Sequence, residues 1–411
     1  MPTRPRRYVQ TRPLQSWAIS LAVLLASGRV LAGGPLLFLP PSPAAAAPPA
    51  PRFTVTDLGT LLGGQESAAY ALNDRGQVVG WSDGGTDNSL MHQDPNLIHN
   101  HAVLWDGRKV RDLGLLKGFP FSAGYGINHN GQIVGGWDVN YHRGGGGPAG
   151  LLQNFVLRGG RMTILDNVTP PYLVYAKAIN DSGEVAGTTN DSGMVPGAPP
   201  SDYRAVLWTG SNVTMLPLPA GFTKAFALAL NDTGLVVGTA TGKNRHHAIL
   251  WRKGAALDLD AALPADSFSE ATGVNSMGQV VEWGSGGAFL WQDGKKEAVE
   301  PLNRTYALTV PHSINDQGQI VGAAGYPPFH THAFLWQKGK TYDLNGLIPA
   351  DAGWILQEAR AINNHGQLVG WGTHGGKKHA FLLTPMPRPR SRFVARLTAK
   401  SEQGRGSGFL R

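Results

Sequence analysis

The sequence predicts an all-β fold, and three recurring phrases carry that prediction. The first runs over nine residues: an apolar residue, Asn, two variable residues, Gly, one variable residue, two apolar residues and Gly. The second is a five-residue apolar phrase such as HAFLW, and the third is a short segment ending near Asp-Leu, such as VRDLG. Each occurs seven times, and the asparagines from Asn73 to Asn363 are about 48 residues apart on average. A fixed period of this length indicates a fold built from similar units.

The first phrase predicts a β-hairpin. The four residues before each asparagine carry small residues at the first and third positions, as in AYAL at 69–72 and GYGI at 124–127. Alternation with period 2 is strand geometry, and small residues on one face suit a strand that crowds its equivalents near the axis of a radial array. Asn-x-x-Gly then forms a turn, because Asn can hydrogen-bond its own backbone and Gly adopts positive φ at little cost. The seven turn asparagines are Asn73, Asn128, Asn180, Asn231, Asn275, Asn315 and Asn363.

The HAFLW phrase supplies a third strand and the Asp-Leu phrase a fourth, so the chain predicts a seven-bladed β-propeller with four antiparallel strands per blade. The array begins at Phe53–Leu58 with a fourth strand and ends at His379–Leu383 with a third strand. The N-terminal strand is therefore predicted to complete the last blade, which leaves no open sheet edge where the ring closes. The propeller is predicted over residues 53–384. An open β-solenoid is the alternative, although an open array does not require that the strand type missing at one end of the array be present at the other.

The paired phrases INDxGQVVG and HAFLW resemble the HAF family of extracellular repeats. The resemblance covers roughly residues 53–384, and seven matches in register make it specific as a repeat family. It implies a bacterial exported protein with a repeat β fold and no defined reaction, so it provides no catalytic residues. The chain departs from the pattern at Arg158 and Leu383, where Trp is expected, and at Glu282, where the other six repeats have Gly.

The N-terminal region predicts export. Residues 1–47 carry five arginines and no acidic residue, and the short apolar run Trp17–Ala26 follows the basic stretch. This order predicts a signal peptide and a low-complexity segment, with cleavage at Ala32 or within Ala44–Ala47. An uncleaved membrane anchor is the alternative. Residues 48–52 are predicted to be a linker.

The net charge of +8 belongs to the two ends of the chain. Residues 385–411 carry seven basic residues and one acidic residue, whereas residues 48–384 hold 24 basic and 27 acidic residues, a net charge of −3. Basic charge outside the predicted fold argues against a nucleic-acid partner. The C-terminal segment is predicted to be a disordered basic tail, or alternatively a tether to acidic surface polymers or lipid headgroups.

Composition and motifs indicate a non-catalytic binding or interaction module, located outside the cell or in the periplasm. The chain has no cysteine among its 411 residues, which excludes a catalytic thiol, a disulfide scaffold and a Cys-based zinc site. It has no phosphate loop or HExxH motif. We expect a monomer without cofactor or stable membrane insertion, whose ligand is a carbohydrate or a protein. The alternative is a propeller enzyme, a lyase or glycoside hydrolase, that uses acids and histidines near the central channel.

Three long insertions between second and third strands are the predicted ligand surface. They cover roughly Ser82–Asn100, Trp137–Gln153 and Thr188–Tyr203 in neighbouring repeats, so they should emerge on one face. Aromatic rings beside acids suit a sugar or a peptide, although ordinary surface insertions have the same composition. The predicted ligand-binding residues are Trp81, Asp83, His92, Trp137, Asp138, Tyr141, Asp202 and Tyr203.

Other polar residues receive structural interpretations. Histidines begin four copies of the second phrase, one in each of four blades, which indicates separate strand-end hydrogen bonds and no metal site: His101, His247, His332 and His379. A metal held by one of the i, i+2 pairs His99/His101 and His330/His332 is the alternative. Acids follow several turn asparagines without the spacing of a calcium loop and are predicted to be turn residues: Asp74, Asp181, Asp232 and Asp316. Glu282 is a strand carboxylate where glycine is the rule, and sequence drift in one blade or a functional role are both open.

Overall fold

The computed structural model describes residues 50–84, 100–114, 121–138, 152–165, 174–190, 203–264, 266–325 and 331–387. These residues form 28 β-strands and one 3-10 turn at Leu344–Leu347, so the predicted all-β fold is confirmed. The predicted signal peptide and nearly all of the predicted tail lie outside the described residues. Within the part of the chain that is described, no helix has the length and apolar character needed to cross a membrane.

The strands fall into seven sets of four. The first strands are β2 (Ser67–Leu72), β6 (Phe121–Ile127), β10 (Val174–Ile179), β14 (Phe222–Leu230), β18 (Ser269–Val274), β22 (Thr309–Ile314) and β26 (Trp354–Ile362). The second strands are β3 (Val78–Asp83), β7 (Ile133–Asp138), β11 (Val185–Asn190), β15 (Val236–Gly242), β19 (Val280–Gly284), β23 (Ile320–Ala324) and β27 (Leu368–His374). The third strands are β4 (Asn100–Asp106), β8 (Leu152–Arg158), β12 (Tyr203–Thr209), β16 (His246–Arg252), β20 (Gly287–Gln292), β24 (His332–Gln337) and β28 (Lys377–Pro385). The fourth strands are β5 (Lys109–Gly114), β9 (Arg161–Ile164), β13 (Asn212–Met215), β17 (Ala255–Asp258), β21 (Lys295–Ala298), β25 (Lys340–Asp343) and β1 (Phe53–Asp57).

Neighbouring strands of a set pair antiparallel in the order first, second, third, fourth. Five sets form separate four-stranded sheets. The other two, β2–β5 and β6–β9, belong to one eight-stranded sheet because a single parallel contact joins Asn100 to Phe121. The three phrases of the sequence therefore map onto the strands that they predict, with the Asn-x-x-Gly turn between first and second strands.

The last set takes its fourth strand from the other end of the chain. β1 pairs antiparallel with β28, from Phe53 opposite Pro385 to Asp57 opposite Phe381. The amide of Met386 donates to the carbonyl of Arg52 at 2.8 Å, just beyond the end of this ladder. The predicted pairing of the N-terminal strand with the last repeat is thus present.

Apolar side chains form clusters between consecutive sets. Seven such clusters lie in the described residues, and each joins the side chains of two neighbouring sets. One of them joins the first set to the last, because Val78 and Val103 pack with Val369 and Ala380. Burial of apolar surface is the main favourable term in folding, so these clusters hold each sheet against its neighbours.

The turn asparagines add polar links between the same neighbours. Each donates its side-chain N–H to the backbone carbonyl of the corresponding asparagine in the next set, at 2.8 to 3.3 Å. The seventh link runs from Asn363 back to the carbonyl of Asn73 at 3.1 Å. Each asparagine Oδ1 also accepts the amide N–H four residues later, which holds its own turn. All seven asparagines are buried, so the links replace water for groups that need hydrogen-bond partners.

Candidate functional site

A β-bulge at the centre of every first strand turns one side chain out of the regular pairing. In β2 the pairing skips from Ala69 to Ala71, and the other six first strands skip at the same repeat position. A bulge leaves one residue unpaired and re-aims its side chain. All seven bulge residues line one cavity, which we call the central cavity. They are Tyr70, Tyr125, Lys177, Leu228, Thr272, His312 and Arg360.

Glycine on the second strand makes room for the bulge. A Cβ atom on Gly370 would lie 1.9 Å from the carbonyl oxygen of Glu358 on the first strand, and no side chain can be placed there without backbone movement. Six sets have this arrangement, with the corresponding distance between 1.9 and 2.4 Å. In the fifth set Glu282 occupies the glycine position opposite the same bulge. The last residue of the repeated phrase is therefore glycine because a backbone carbonyl of the first strand occupies the space that a Cβ atom would need.

The small residues beside each bulge let neighbouring first strands approach closely. A Cβ atom on Gly126 would lie 3.3 Å from the carbonyl oxygen of Lys177 in the next set, and one on Gly273 would lie 3.4 Å from that of His312. This agrees with the crowding that the small-residue alternation predicts.

Two tyrosines form an aromatic wall of the cavity, whose volume is about 540 Å³. The rings of Tyr70 and Tyr125 have centroids 6.3 Å apart and planes 17° from parallel. The indole N–H of Trp81 donates to the hydroxyl of Tyr70 at 2.9 Å and thereby fixes its ring. A cation lies over each ring: the Arg360 guanidinium is 5.6 Å from the centroid of Tyr70, and the Lys177 ammonium is 5.2 Å from that of Tyr125.

A compact ion-pair cluster stands beside this wall. Glu358 Oε1 lies 2.7 Å from Nε2 of His312 and 2.9 Å from Nη2 of Arg360. Its other oxygen accepts the indole N–H of Trp371 at 2.7 Å. Burial by itself would raise the pKa of Glu358, but His312 and Arg360 outweigh burial and lower this pKa to about 2. The carboxylate is therefore ionised and fully engaged by its neighbours. Burial lowers the pKa of His312, which favours a neutral imidazole at neutral pH.

Lys177 and Glu270 also face the cavity, but neither charged group forms a hydrogen bond or ion pair with any of the residues that the structure describes. Burial lowers the pKa of Lys177, the positive charge of Arg360 adds to this effect, and Glu270 opposes it. Burial raises the pKa of Glu270, and Lys177 opposes that change. The Lys177 side chain nevertheless stays accessible to solvent through the cavity.

The cavity thus combines aromatic faces, two cations, one unengaged carboxyl group and an imidazole. Such a set can stack a flat apolar face, bind an anion and accept hydrogen bonds from hydroxyl groups. In the described ranges no three His, Asp or Glu side chains are placed to hold a metal ion.

Three residues predicted to bind ligand are buried and make structural contacts. Asp83 is 8% exposed, and its Oδ1 accepts the amides of Gln65 and Glu66 at 2.7 Å each. Trp81 is 5% exposed and bonds to a cavity tyrosine, as described above. Trp137 is 1% exposed and packs on Phe155 with ring centroids 4.5 Å apart. These side chains support the strands and do not offer a surface to a ligand.

The remaining predicted residues are only partly placed. Tyr203 is half-buried and its ring packs on Phe226, with centroids 5.2 Å apart. Asp138 ends β7, and its side chain lies outside the described part of the structure, as do His92, Tyr141 and Asp202 altogether. A ligand surface on the long insertions therefore stays a prediction.

The four repeated histidines have the structural role that their spacing predicts. Each pairs through Nδ1 with the aspartate of the adjacent fourth strand: His101 lies 2.8 Å from Asp112, and His332 lies 2.7 Å from Asp343. The pairs of His247 with Asp258 and of His379 with Asp57 repeat this contact at 3.0 and 2.9 Å. The second and third phrases are thus joined by one side-chain contact. His99 and His330, which could extend two of these sites, lie outside the described residues.

The turn acids also lie where predicted, and several link neighbouring sets. Asp181 Oδ1 accepts the amide of His129, and Asp232 Oδ1 accepts the amide of Asp181, each at 2.7 Å. Asp316 accepts the amide of Ser276 at 2.9 Å in the same way. These acids are structural partners of backbone amides.

Sequence reasoning missed the bulge residues, although the sequence contains a pattern that identifies them. Each is the variable residue enclosed by two small residues directly before a turn asparagine, as Lys177 is in AKAI. A regular strand would place that residue on the face opposite its small neighbours. The bulge instead brings all seven variable positions to one cavity.

Comparisons with known proteins give a likeness in fold. No protein-family model matches the chain, and no curated protein matches it. Among solved structures, YCF48 bound to D1 peptide is similar with a TM-score of 0.50 and 12% identity, covering 83% of this chain and 99% of that one. The β-propeller domain of the Trilobed protease from Pyrococcus furiosus is similar with a TM-score of 0.48 and 8% identity, with coverage of 83% and 99%. Both are β-propellers, the fold predicted from the repeats.

Proposed function

We propose that the chain is an exported HAF-type repeat protein that folds as a closed, seven-bladed β-propeller and binds carbohydrate in its central cavity. Closure is supported by the seventh asparagine link, by the hydrophobic cluster between the first and last sets, and by the pairing of β1 with β28. Export and membership of the HAF family rest on the N-terminal composition and on the repeated phrases.

The observation that carries the binding function is the contrast between a uniform scaffold and a non-uniform cavity. Seven equivalent bulge positions hold six residue types, including two tyrosines and two cations. A merely structural lining has no need of such variety. A volume of about 540 Å³ suits a small ligand or the end of a chain, and it is too small for a protein surface. Aromatic faces beside polar groups are a common surface for sugars, so carbohydrate is favoured over protein.

The test is a glycan array followed by calorimetric titration with the purified full chain. Leu228→Trp should fill the cavity and weaken glycan binding by about tenfold or more, since it removes the space for the ligand. Leu257→Trp is the matched control, because Leu257 is 50% exposed on the outer strand β17. Both variants should keep the wild-type melting temperature within a few degrees. A wild-type chain that binds no glycan, or binding that Leu228→Trp leaves unchanged, contradicts the proposal.

A lyase is the second candidate, and one observation favours it. The imidazole of His312, kept neutral by its lowered pKa, faces the cavity near Arg360, and a neutral imidazole can accept a proton. In a lyase the base removes the proton on the carbon beside a carboxylate. The bond from the β carbon to the leaving oxygen then breaks, and that oxygen keeps the electron pair and takes up a proton. A glycoside hydrolase fits less well, because its chemistry uses two carboxyl groups and Glu270 alone lines the cavity among the described residues. Glu358 is held by three neighbours and does not line the cavity.

Ultraviolet absorbance distinguishes the two candidates. A lyase acting on an acidic polysaccharide would produce a conjugated double bond and a steady rise in absorbance, which His312→Ala should abolish. A binding module would give no rise over long incubation while still binding the sugar.

A further inference from the structure

Four consecutive sets place a cation, two aromatic rings and a second cation along one side of the central cavity. In order around the sets these are Arg360, Tyr70, Tyr125 and Lys177, all of them bulge residues. Each cation lies over the ring beside it, and the two rings are nearly parallel. This arc presents an apolar surface with a cation beside each ring. Both cations face the same cavity, and the charge of Arg360 contributes to lowering the pKa of Lys177.

Both cations have binding capacity that the protein leaves unused. The Lys177 ammonium forms no hydrogen bond or ion pair with the described residues. Arg360 contacts Glu358 through Nη2 at 2.9 Å, and its side chain is still 39% exposed. A guanidinium has five N–H donors in a planar fork that matches a carboxylate. Unpaired cationic donors in a partly buried site are costly, and an anion from the ligand would satisfy them.

The opposite side of the cavity is suited to hydroxyl groups. The Glu270 carboxyl group faces the cavity without a partner among the described residues, and the imidazole of His312 lies on the same side. Carboxylate oxygens accept hydrogen bonds from hydroxyl donors. Thr272 is already used, since its hydroxyl donates to the carbonyl of Pro311 at 2.8 Å. A ligand that fits both sides carries one anionic group and several hydroxyl groups.

We infer that the ligand is an acidic sugar, whose carboxylate binds Lys177 and Arg360 while its ring lies against Tyr125 and its hydroxyl groups donate to Glu270. This inference rests on the proposed function and names its ligand class. A sulfate ester shares the negative charge but not the planar shape, so the arginine fork favours a carboxylate.

The experiment compares matched ligands on the full-length protein by calorimetric titration. The probes are glucuronate and galacturonate oligosaccharides, the same oligosaccharides after reduction of the carboxyl group to a primary alcohol, and a sulfated oligosaccharide of equal length. We expect the carboxylate forms to bind at least about tenfold more tightly than the reduced forms. The difference should shrink as salt concentration rises, because added ions screen the charges.

Variants of one side chain locate the effect. Lys177→Met should weaken binding of the carboxylate forms about tenfold and leave the affinity for the reduced forms unchanged. Lys177→Arg, which keeps the charge, should restore most of it. Lys243→Met is the control, since it removes one positive charge from an exposed turn residue that does not line the cavity.

The outcomes separate this inference from the function on which it rests. If carboxylate and reduced forms bind equally and Lys177→Met affects neither, the acidic-sugar inference fails and carbohydrate binding stands. Tighter binding of the sulfated probe would overturn the choice of carboxylate. If no oligosaccharide binds, the proposed function itself fails. Slow conversion of the acidic sugars to an unsaturated product would support the ligand class and replace the binding module by a lyase.

Discussion

The turn asparagines and the bulge residues stand three positions apart in every repeat, yet they differ completely in variety. The asparagine is the same in all seven sets, whereas the bulge position holds six residue types. An asparagine donates to the next set and accepts within its own turn, so each link requires the same side chain. A bulge residue faces the cavity and has no repeated partner. Uniformity therefore marks residues that join the repeats, and variety marks residues that line the cavity.

The strand borrowed from the N-terminus should produce the largest effect, because it acts on the uniform scaffold as a whole. Deleting Arg52–Gly59 removes β1 and with it Phe53, which is 2% exposed. The deletion leaves β28 with an open edge, and we expect a loss of at least about 5 kcal/mol of unfolding free energy. Thermal unfolding followed by circular dichroism measures it. The control removes eight residues from the C-terminal end, 404–411, and an equal melting temperature in both truncations would contradict closure through β1.

The glycine opposite each bulge connects the uniform scaffold to the variable cavity. Gly370→Ala places a Cβ atom against the carbonyl of Glu358, so the bulge must shift or the strands must separate. We expect a loss of about 4 kcal/mol in stability, together with weaker ligand binding because Glu358 positions Arg360 and His312.

Gly346→Ala is the control for this substitution, since no atom lies within 4 Å of the Cβ position and its φ is not positive. Its stability should stay within about 0.5 kcal/mol of the wild type. If Gly370→Ala lowers stability but leaves glycan affinity unchanged, the bulge does not set the geometry of the cavity.

A pair of substitutions tests the two regions against each other. Asn128→Ala removes three hydrogen bonds of 2.8 Å. The Asn128 side-chain amide donates to the backbone carbonyl of Asn180 and to Oε1 of Gln132, and its Oδ1 accepts the backbone amide of Gln132. Because a buried carbonyl loses its partner, we expect about 3 kcal/mol of destabilisation by chemical denaturation, with glycan affinity unchanged in the folded protein. Lys177→Met should do the reverse and weaken binding without loss of stability.

Asn212→Ala, on the exposed strand β13, controls for the loss of an asparagine as such and should have little effect. The division between scaffold and site would be wrong if Asn128→Ala weakened binding in the folded protein or if Lys177→Met unfolded it.

The four-strand sets were predictable because each carries its own turn chemistry and apolar pattern. Asn73 and Gly76 define the first hairpin locally, and Gly76 has the positive φ of 76° that its place in the turn requires. The pairing of Phe53 with the last repeat was predictable from the order of the phrases alone, since one strand type was missing at each end. Information of this kind lies along the chain and does not depend on how the sets pack.

The cavity was not predicted because a bulge is a property of two paired strands. In AYAL the period-2 pattern places Tyr70 opposite Ala69 and Ala71, and nothing in these four residues shows that the pairing skips one of them. The tryptophans of the predicted ligand surface were misplaced for a related reason. Strands β3 and β7 extend to Asp83 and Asp138, so Trp81 and Trp137 lie within sheets and not in the insertions.

Glu282 breaks the uniformity of the scaffold, and its ionisation gives the smallest expected effect. Its carboxyl group is 1% exposed and contacts Lys296, which also bonds Asp260 at 2.5 Å. Burial raises the pKa of Glu282 to about 7 and the charge of Asp260 adds to this, although Lys296 opposes it. Between pH 4.5 and about 7 the folded protein therefore holds a proton on Glu282 that the unfolded chain has released. The contribution of Glu282 to stability falls as pH rises through this range and levels off above about 7.

Replacing this carboxyl group by an amide removes the titration. Relative to the wild type, Glu282→Gln should gain about 2 kcal/mol of unfolding free energy between about pH 5.5 and about pH 7.5, as measured by denaturant titration at each pH. Glu297→Gln is the matched control on exposed positions of β21, and it should show no such gain. Because Glu282 does not line the central cavity, glycan affinity should be the same for Glu282→Gln and wild type at each pH. If glycan affinity instead changes with the ionisation of Glu282, a scaffold residue that departs from the repeat also influences ligand binding. The distinction between a uniform scaffold and a variable binding cavity would then be wrong.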